Sequence, residues 1–193
     1  MLFESFPKIP RISRDCVITE KIDGTNACIG IVQRALYCEQ PPDFHAQVGE
    51  FYLFAGKRNG WCGTGKQDNF GFRAWVTANA EELVKLGPGR HFGEWWGPGI
   101  QRGYGVAEKR FTLFNAGRWT AEALPSCVSV VPIIEKGEFT TELIDRALEK
   151  LKSGGSLVSP GFMRPEGIVI YHTRSGQLYK KLIEGDDKAK GDA

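Results

Sequence analysis

Residues 15–32, DCVITEKIDGTNACIGIV, restrict the fold more than any other stretch of the chain. The run 15–21 alternates like a strand with one covered face, and the apolar, β-branched run 27–32 has the composition of a second strand. Between them lie Lys21, Asp23, Gly24 and Asn26, polar residues placed where the mouth of a hairpin is expected. Lys21 and Asp23 are two apart, so they share one face of a strand end.

Strands outnumber helices along the rest of the chain. The pattern predicts strands at 15–22, 27–39 (with a bend), 47–56, 91–96, 110–116, 128–134, 166–172 and 176–183. A helix over 71–86 would place Trp75, Val76, Asn79, Leu83 and Leu86 on one side and stop at Gly87-Pro88. A second, over 141–152, carries Leu143, Ile144, Ala147, Leu148 and Leu151 on one face and ends at Gly154-Gly155. Strands joined by short turns, with only two helices, argue an antiparallel α+β domain. The 193 residues suit a single domain over 1–193, with its core at about 15–183 and a loose polar tail over 184–193. No internal repeat and no low-complexity segment stands out.

Composition narrows the setting. No signal peptide and no apolar stretch of membrane-spanning length is present, which predicts a soluble, cytoplasmic protein with no membrane partner. The five cysteines make an odd number without a C-x-x-C pair, as packed, reduced thiols would. His45, His91 and His172 lie far apart and read as structural or exposed. The net charge of +2 does not announce a nucleic-acid partner. Basic residues do cluster at Lys8, Arg11 and Arg14, at Lys57 and Arg58, at Lys109 and Arg110, and at Lys180 and Lys181. Each cluster taken alone reads as solvated surface.

Two nucleotide motifs are excluded. Residues 60–67, GWCGTGKQ, fit G-x-x-x-x-G-K but supply Gln67 where a P-loop needs a hydroxyl for magnesium, and the helix pattern starts several residues late. The glycines of 89–105 do not fall in G-x-G-x-x-G spacing.

The chemistry therefore returns to Lys21. A lysine at a strand end can act as a nucleophile if its amine is neutral. From an ordinary value near 10.4, neutrality at pH 7 costs about 4–5 kcal/mol, so further cations or a metal must help. The chain supplies such groups in order. Arg58 lies in FAGKRNG, Glu94 in HFGEWWG and Phe114 in the aromatic strand KRFTLFN. Glu166 lies in RPEGIVIY, and Lys180 and Lys181 in LYKKLI. Blander readings stand beside these: Glu94 and Glu166 as turn carboxylates, Arg58 as surface, Phe114 as core. Trp61, Trp95, Trp96 and Tyr104 read as core or rim rather than base-stacking platforms.

As a set these motifs resemble the nucleotidyltransferase domain of the covalent ligase superfamily, most closely the ATP-dependent RNA ligase family. The likeness runs from about residue 15 to 183. EKIDGTN is similar to the family's first motif, GEWWG to its third, FTLFN to the aromatic strand after it, PEGIVIY to its fourth and YKKL to its fifth. The resemblance implies an α+β adenylation domain of the ATP-grasp-like DNA/RNA ligase type. It implies that Lys21 attacks the α-phosphorus of ATP, that AMP passes to a 5′-phosphate end, and that a 3′-hydroxyl then displaces it. It further implies that Glu94 binds the ribose, that Phe114 stacks on adenine, and that Arg58 serves the ribose or the phosphates. Glu166 would hold magnesium or manganese, and Lys180 the α-phosphate. Asp23 and Asn26 would order the phosphate and metal side, and Glu20 would touch the adenine edge.

The chain departs from the family pattern at three points. The fifth motif usually reads K-x-K, whereas Lys180 and Lys181 are adjacent. Alignment on 168–171 and Gly176 favours Lys180 as the retained lysine, with Lys181 either a second phosphate contact or a solvated side chain. Asn115 stands where the aromatic strand usually ends in aspartate. Few residues follow Lys181, which suggests a form without an OB-fold or other C-terminal module. The expected partners are RNA ends, with DNA ends as the alternative of a minimal nick ligase, and a non-catalytic end-binding domain as a further alternative. Oligomeric state stays open.

Overall fold

The structure, a computed structural model, describes residues 4–36, 44–119 and 123–186. In chain order its first elements are β1 (Asp15–Lys21), β2 (Thr25–Gln33), a 3-10 turn (Arg34–Leu36), β3 (Ala46–Val48), β4 (Phe51–Lys57) and β5 (Gly60–Trp61). A second 3-10 turn (Gly65–Gln67) precedes α1 (Phe72–Ala78) and α2 (Ala80–Leu83), which runs into a third (Val84–Leu86). Then come β6 (Gly89–Trp96), β7 (Arg110–Leu113), β8 (Val128–Val130), β9 (Ile133–Glu138), α3 (Thr141–Gly154), β10 (Gly167–His172) and β11 (Gln177–Leu182). The chain is α+β. Every strand pair is antiparallel except β7 with β8. No helix among the described residues is long and apolar enough to cross a membrane.

The chain divides into two compact units. The first comprises residues up to Lys21 together with those from Pro132 onward. Its sheet has the order β11-β10-β1-β9. One face of that sheet is closed by α3. Cys16, Ile18, Ile168 and Ile170 pack against Leu143, Ala147, Leu148 and Leu151, all nearly inaccessible to solvent. Thr140 caps α3: its Oγ1 accepts the Leu143 N–H at 3.2 Å, satisfying one of the helix's open donors.

The second unit, Ile22–Val131, holds the sheet β3-β4-β2-β6-β7-β8, with β5 paired to β4. Ala27, Ile29 and Ile31 of β2, Leu53 and Ala55 of β4, Trp95 and Phe111 share a core with Phe72, Val76, Leu83 and Leu86 of the helical segment. The aromatic members interlock, with the Phe72 and Trp95 ring centroids 5.4 Å apart.

The structure corrects several expectations. Strands β1 and β2 do not form a hairpin: β1 pairs with β9 and β10, and β2 with β4 and β6. The polar residues after Lys21 therefore carry the chain from one sheet into another. The predicted strand 47–56 is two strands, since the chain turns at Gly49-Glu50. The predicted 128–134 divides at Val131-Pro132, where proline supplies no N–H to a ladder. The predicted helix 71–86 breaks at Asn79, whose side-chain amide donates to the Trp75 carbonyl at 2.8 Å. The bent strand 27–39 ends at Gln33, and its predicted end beyond residue 36 lies outside the described residues, as do Cys38 and the tail from 187. The GWCGTGKQ stretch forms a short strand and a 3-10 turn, with no helix N-terminus to receive a phosphate.

Candidate active site

Lys21 is the last residue of β1 and lies opposite Gly167, the first residue of β10. Glu166 immediately precedes that glycine, so its carboxylate reaches the lysine: Nζ donates to Oε2 at 2.5 Å. The side chains are 24% and 15% exposed, buried enough to strengthen the ion pair and open enough for a ligand to reach it. A Cβ on Gly167 would collide with the Lys181 carbonyl oxygen and lie 2.8 Å from the Leu182 Cα, which explains the glycine of PEGIVIY.

Alternation then sorts the neighbours. Register places Lys21, Thr19, Val169 and Lys180 on the face away from α3, and Glu20, Ile168 and Lys181 on the α3 face. Lys180 is exposed on the face of Lys21, about 10 Å away across two strand spacings and displaced two residues along the strand. Lys181 reaches α3 and pairs with Asp145 Oδ1 at 2.8 Å.

Glu20 is 1% exposed and held by one loop. Its Oε1 accepts the Ser156 hydroxyl at 2.6 Å, and its Oε2 accepts the Leu157 and Val158 N–H groups at 2.7 and 3.1 Å. Burial raises its carboxyl above the usual range, and the three donors oppose that shift. With both oxygens engaged, Glu20 holds the 156–158 loop to the end of β1.

In the second unit, Asp23 Oδ2 accepts from Arg102 Nε at 2.9 Å, and the Asp23 N–H donates to the Tyr104 hydroxyl at 2.8 Å. The Gly24 N–H donates to Glu94 Oε1 at 3.1 Å. Asn26 lies opposite Glu94 in the ladder. The Phe114 N–H donates to the Phe92 carbonyl at 3.0 Å, continuing the β6–β7 ladder. Asn26, Glu94, Phe92 and Phe114 thus share one face, the one turned away from the helices. Phe92 and Phe114 are 50% and 41% exposed there. Trp61 lies over Gly30 and Gly56 on the same face, with its ring 5.1 Å from that of Phe54. This is an open aromatic surface with a carboxylate and an amide at one end. Arg58 is exposed in the β4–β5 turn at the Asn26 end of the sheet. Trp95, Trp96 and Tyr104 are core, while Trp61 is rim.

The sequence reading passed over Arg102, Phe92 and Ser156 and placed Tyr104 only as core or rim. The partners of Glu20, Asp23 and Gly24 lie 70 to 138 positions away, and only the glycine-rich context of Arg102 and Tyr104 marks that stretch.

Among the described residues no three His, Cys, Asp or Glu side chains gather into a metal cage. Magnesium needs none, because it keeps several waters and is held through one or two carboxylates plus substrate phosphates. Glu166, partly exposed beside Lys21, fits that role. At Asp23 a cation would have to displace the Arg102 guanidinium.

The fold is that of the nucleotidyltransferase-type ligases. Three solved structures of Naegleria gruberi RNA ligase share it: the apo form of a lysine-to-alanine mutant, a lysine-to-methionine mutant with AMP and Mn, and the protein with PPi. Their TM-scores are 0.57, 0.57 and 0.54, at 18%, 17% and 18% identity. The matches cover 88%, 89% and 88% of this chain and 50% of each ligase chain, so the chain spans about half their length. No curated protein matches. A family model described as RNA ligase matches residues 14–183, and the chain belongs to that family.

Proposed function

We propose that the chain is an ATP- and magnesium-dependent RNA ligase that works through a lysyl-AMP intermediate on Lys21. The single observation carrying this reading is Lys21 Nζ, partly exposed on the free face of its sheet and 2.5 Å from Glu166. The metal- and nucleotide-bound forms of the Naegleria enzyme support the choice of cofactors.

In the first step the deprotonated Lys21 amine attacks the α-phosphorus of ATP, a P–N bond forms and the bond to pyrophosphate breaks. An oxygen of an RNA 5′-phosphate then attacks the same phosphorus and releases the lysine. Finally a 3′-hydroxyl attacks the activated 5′-phosphate, closing the phosphodiester and expelling AMP. Lys180, on the same face as Lys21, places positive charge beside the transferring phosphate. Phe114 and Phe92 offer faces for adenine, and Glu94 and Asn26 offer polar groups for the ribose side. Arg58 supplies a further cation at that end of the sheet, and Asp23, held by Arg102, orders the turn after Lys21. A magnesium or manganese ion held by Glu166 would neutralise phosphate charge and compete with Lys21 for the carboxylate.

Protein mixed with α-labelled ATP and magnesium should gain one AMP, stable to alkali and labile to acid as a phosphoramidate. Lys21→Ala should gain none. Chasing the labelled protein with phosphorylated RNA and DNA ends then separates an RNA ligase from a DNA nick ligase. A wild-type chain that binds ATP yet stays unlabelled at every pH and metal tested would remove Lys21 as the nucleophile.

A further inference from the structure

The adenylation motifs leave the segment before β1 unused. Residues 6–14, FPKIPRISR, carry a period of three: Phe6, Ile9 and Ile12, then Pro7, Pro10 and Ser13, then Lys8, Arg11 and Arg14. Polyproline II has three residues per turn and a rise of about 3.1 Å per residue, so this spacing suits Lys8 and Arg11 to one edge, about 9 Å apart. The chain then turns at Ser13, where the Arg14 N–H donates to the Ile12 carbonyl at 2.9 Å. Two prolines restrict themselves, and the residues before them, to that conformation. The segment is neither helix nor strand.

Apolar burial does not hold this arm, since Phe6, Ile9 and Ile12 are 83%, 82% and 71% exposed. Polar contacts do. His172 Nε2–H donates to the Ile12 carbonyl at 2.9 Å, and its Nδ1 accepts the Ser175 N–H at 3.1 Å. The Phe139 N–H donates to the Arg14 carbonyl at 2.9 Å. The Thr173 N–H and hydroxyl both donate to the Asp15 carbonyl, at 3.0 and 2.6 Å. These bonds hold the end of the arm, from Ile12 onward, beside Phe139 and the β10–β11 turn, which carries Arg174. A cavity of about 500 Å³ lies between them, lined by Lys8, Arg11, Arg14 and Arg174 and by no carboxylate. Among the described residues none of these four forms an ion pair. The neighbouring acids Asp15 and Glu138, partners across β1 and β9, lie outside the lining.

We infer that this cavity grips the phosphate backbone of an RNA strand. Four cations held together without internal counter-charge favour a polyanion, and guanidinium forks match phosphate oxygens. A repeating cation on an extended arm suits a repeating anion better than a single phosphate. Arg14 and Lys21 lie at opposite ends of β1, about 23 Å apart along the strand. The cavity therefore holds the strand body, away from the reacting end. This assignment rests on the reading of RNA as substrate and adds where the strand is held.

Binding of a 5′-phosphorylated, 3′-blocked RNA, read by fluorescence anisotropy across a salt series, tests it without any chemistry. Replacing Lys8, Arg11, Arg14 and Arg174 together by alanine should weaken binding at least tenfold at low salt. The log–log salt slope should become shallower by about 2–3, four contacts at roughly 0.7 each on a single strand. Changing the three arginines to lysine should keep the slope, and a DNA strand of the same sequence should lose affinity by the same factor. Self-adenylation without RNA should be unchanged in the alanine variant. If it fell, Arg174→Ala alone, in an exposed turn, gives the same readout with a slope change of about 0.7. An unchanged slope in the alanine variants, or wild-type binding indifferent to salt, overturns the assignment. A wild-type protein that bound RNA but never adenylated would sink the catalytic reading and leave this one standing.

Discussion

Gly24 has no room for a methyl group. A Cβ there would lie 2.5 Å from the Trp95 carbonyl oxygen and 2.9 Å from both the Glu94 Cγ and the Trp96 Cβ. Backbone cannot yield cheaply, so Gly24→Ala should move the N–H that now donates to Glu94 and take that carboxylate with it. We expect a stability loss of about 1–3 kcal/mol, the range for overpacking, and a much larger fractional loss of adenylation. Urea unfolding and the adenylation rate check both, and an active, fully stable variant would contradict the close packing at this glycine. The sequence marks Lys21, Asp23, Gly24, Glu94 and Glu166 because chemistry demands particular residue types in a particular order. It does not mark what steadies them. Arg102 beside Asp23, and Ser156 beside Glu20, are ordinary residues in ordinary contexts, brought in by the fold across 79 and 136 positions.

At the scale of elements, period-two alternation identifies a strand but is silent about its partner. Residues 15–21 and 27–32 both read as strands, and both are. The hairpin expected between them is absent because each finds its neighbours in a different sheet. The helix over 141–152 was legible to within two residues, since its apolar face, its Thr140 cap and its terminal glycine all agree. The helix over 71–86 was not, because Asn79 offers the backbone a competing hydrogen bond that hydrophobic spacing cannot reveal. Alternation also decides the adjacent lysines of β11. Lys180 shares a face with Lys21, whereas Lys181 pairs with Asp145 on the helical side. Lys180→Ala should therefore slow AMP transfer at least tenfold, since it removes the positive charge placed on the face of Lys21. Lys181→Ala should be several-fold slower at most, with a small stability loss from an exposed ion pair. Adenylation rates for the two variants decide it. The reverse outcome would shift the working register of β11 by one residue.

Across the whole molecule, two separate cores stabilise the two units. The first unit relies on one helix laid on four strands, and the second on a larger set of interlocked aromatic and aliphatic side chains. Lys21 and Glu166 both belong to the first unit, while Trp61, Trp75, Trp95, Trp96 and Trp119 all belong to the second. Tryptophan fluorescence therefore reports the second unit, whereas the adenylation proposed for Lys21 also requires the first. Leu151, 1% exposed on the buried face of α3, tests this division. Truncation to alanine removes buried methyl groups and leaves a cavity, at a cost of about 2–5 kcal/mol. With a urea dependence of about 1–3 kcal/mol per molar, the loss of adenylation should move down by roughly 1–2 M. The tryptophan transition should move far less. Phe72→Ala, in the second core, should lower the fluorescence midpoint. Parallel urea titrations followed by fluorescence and by residual adenylation measure both shifts. Equal displacement of the two curves in Leu151→Ala would mean that the cores melt as a single cooperative body.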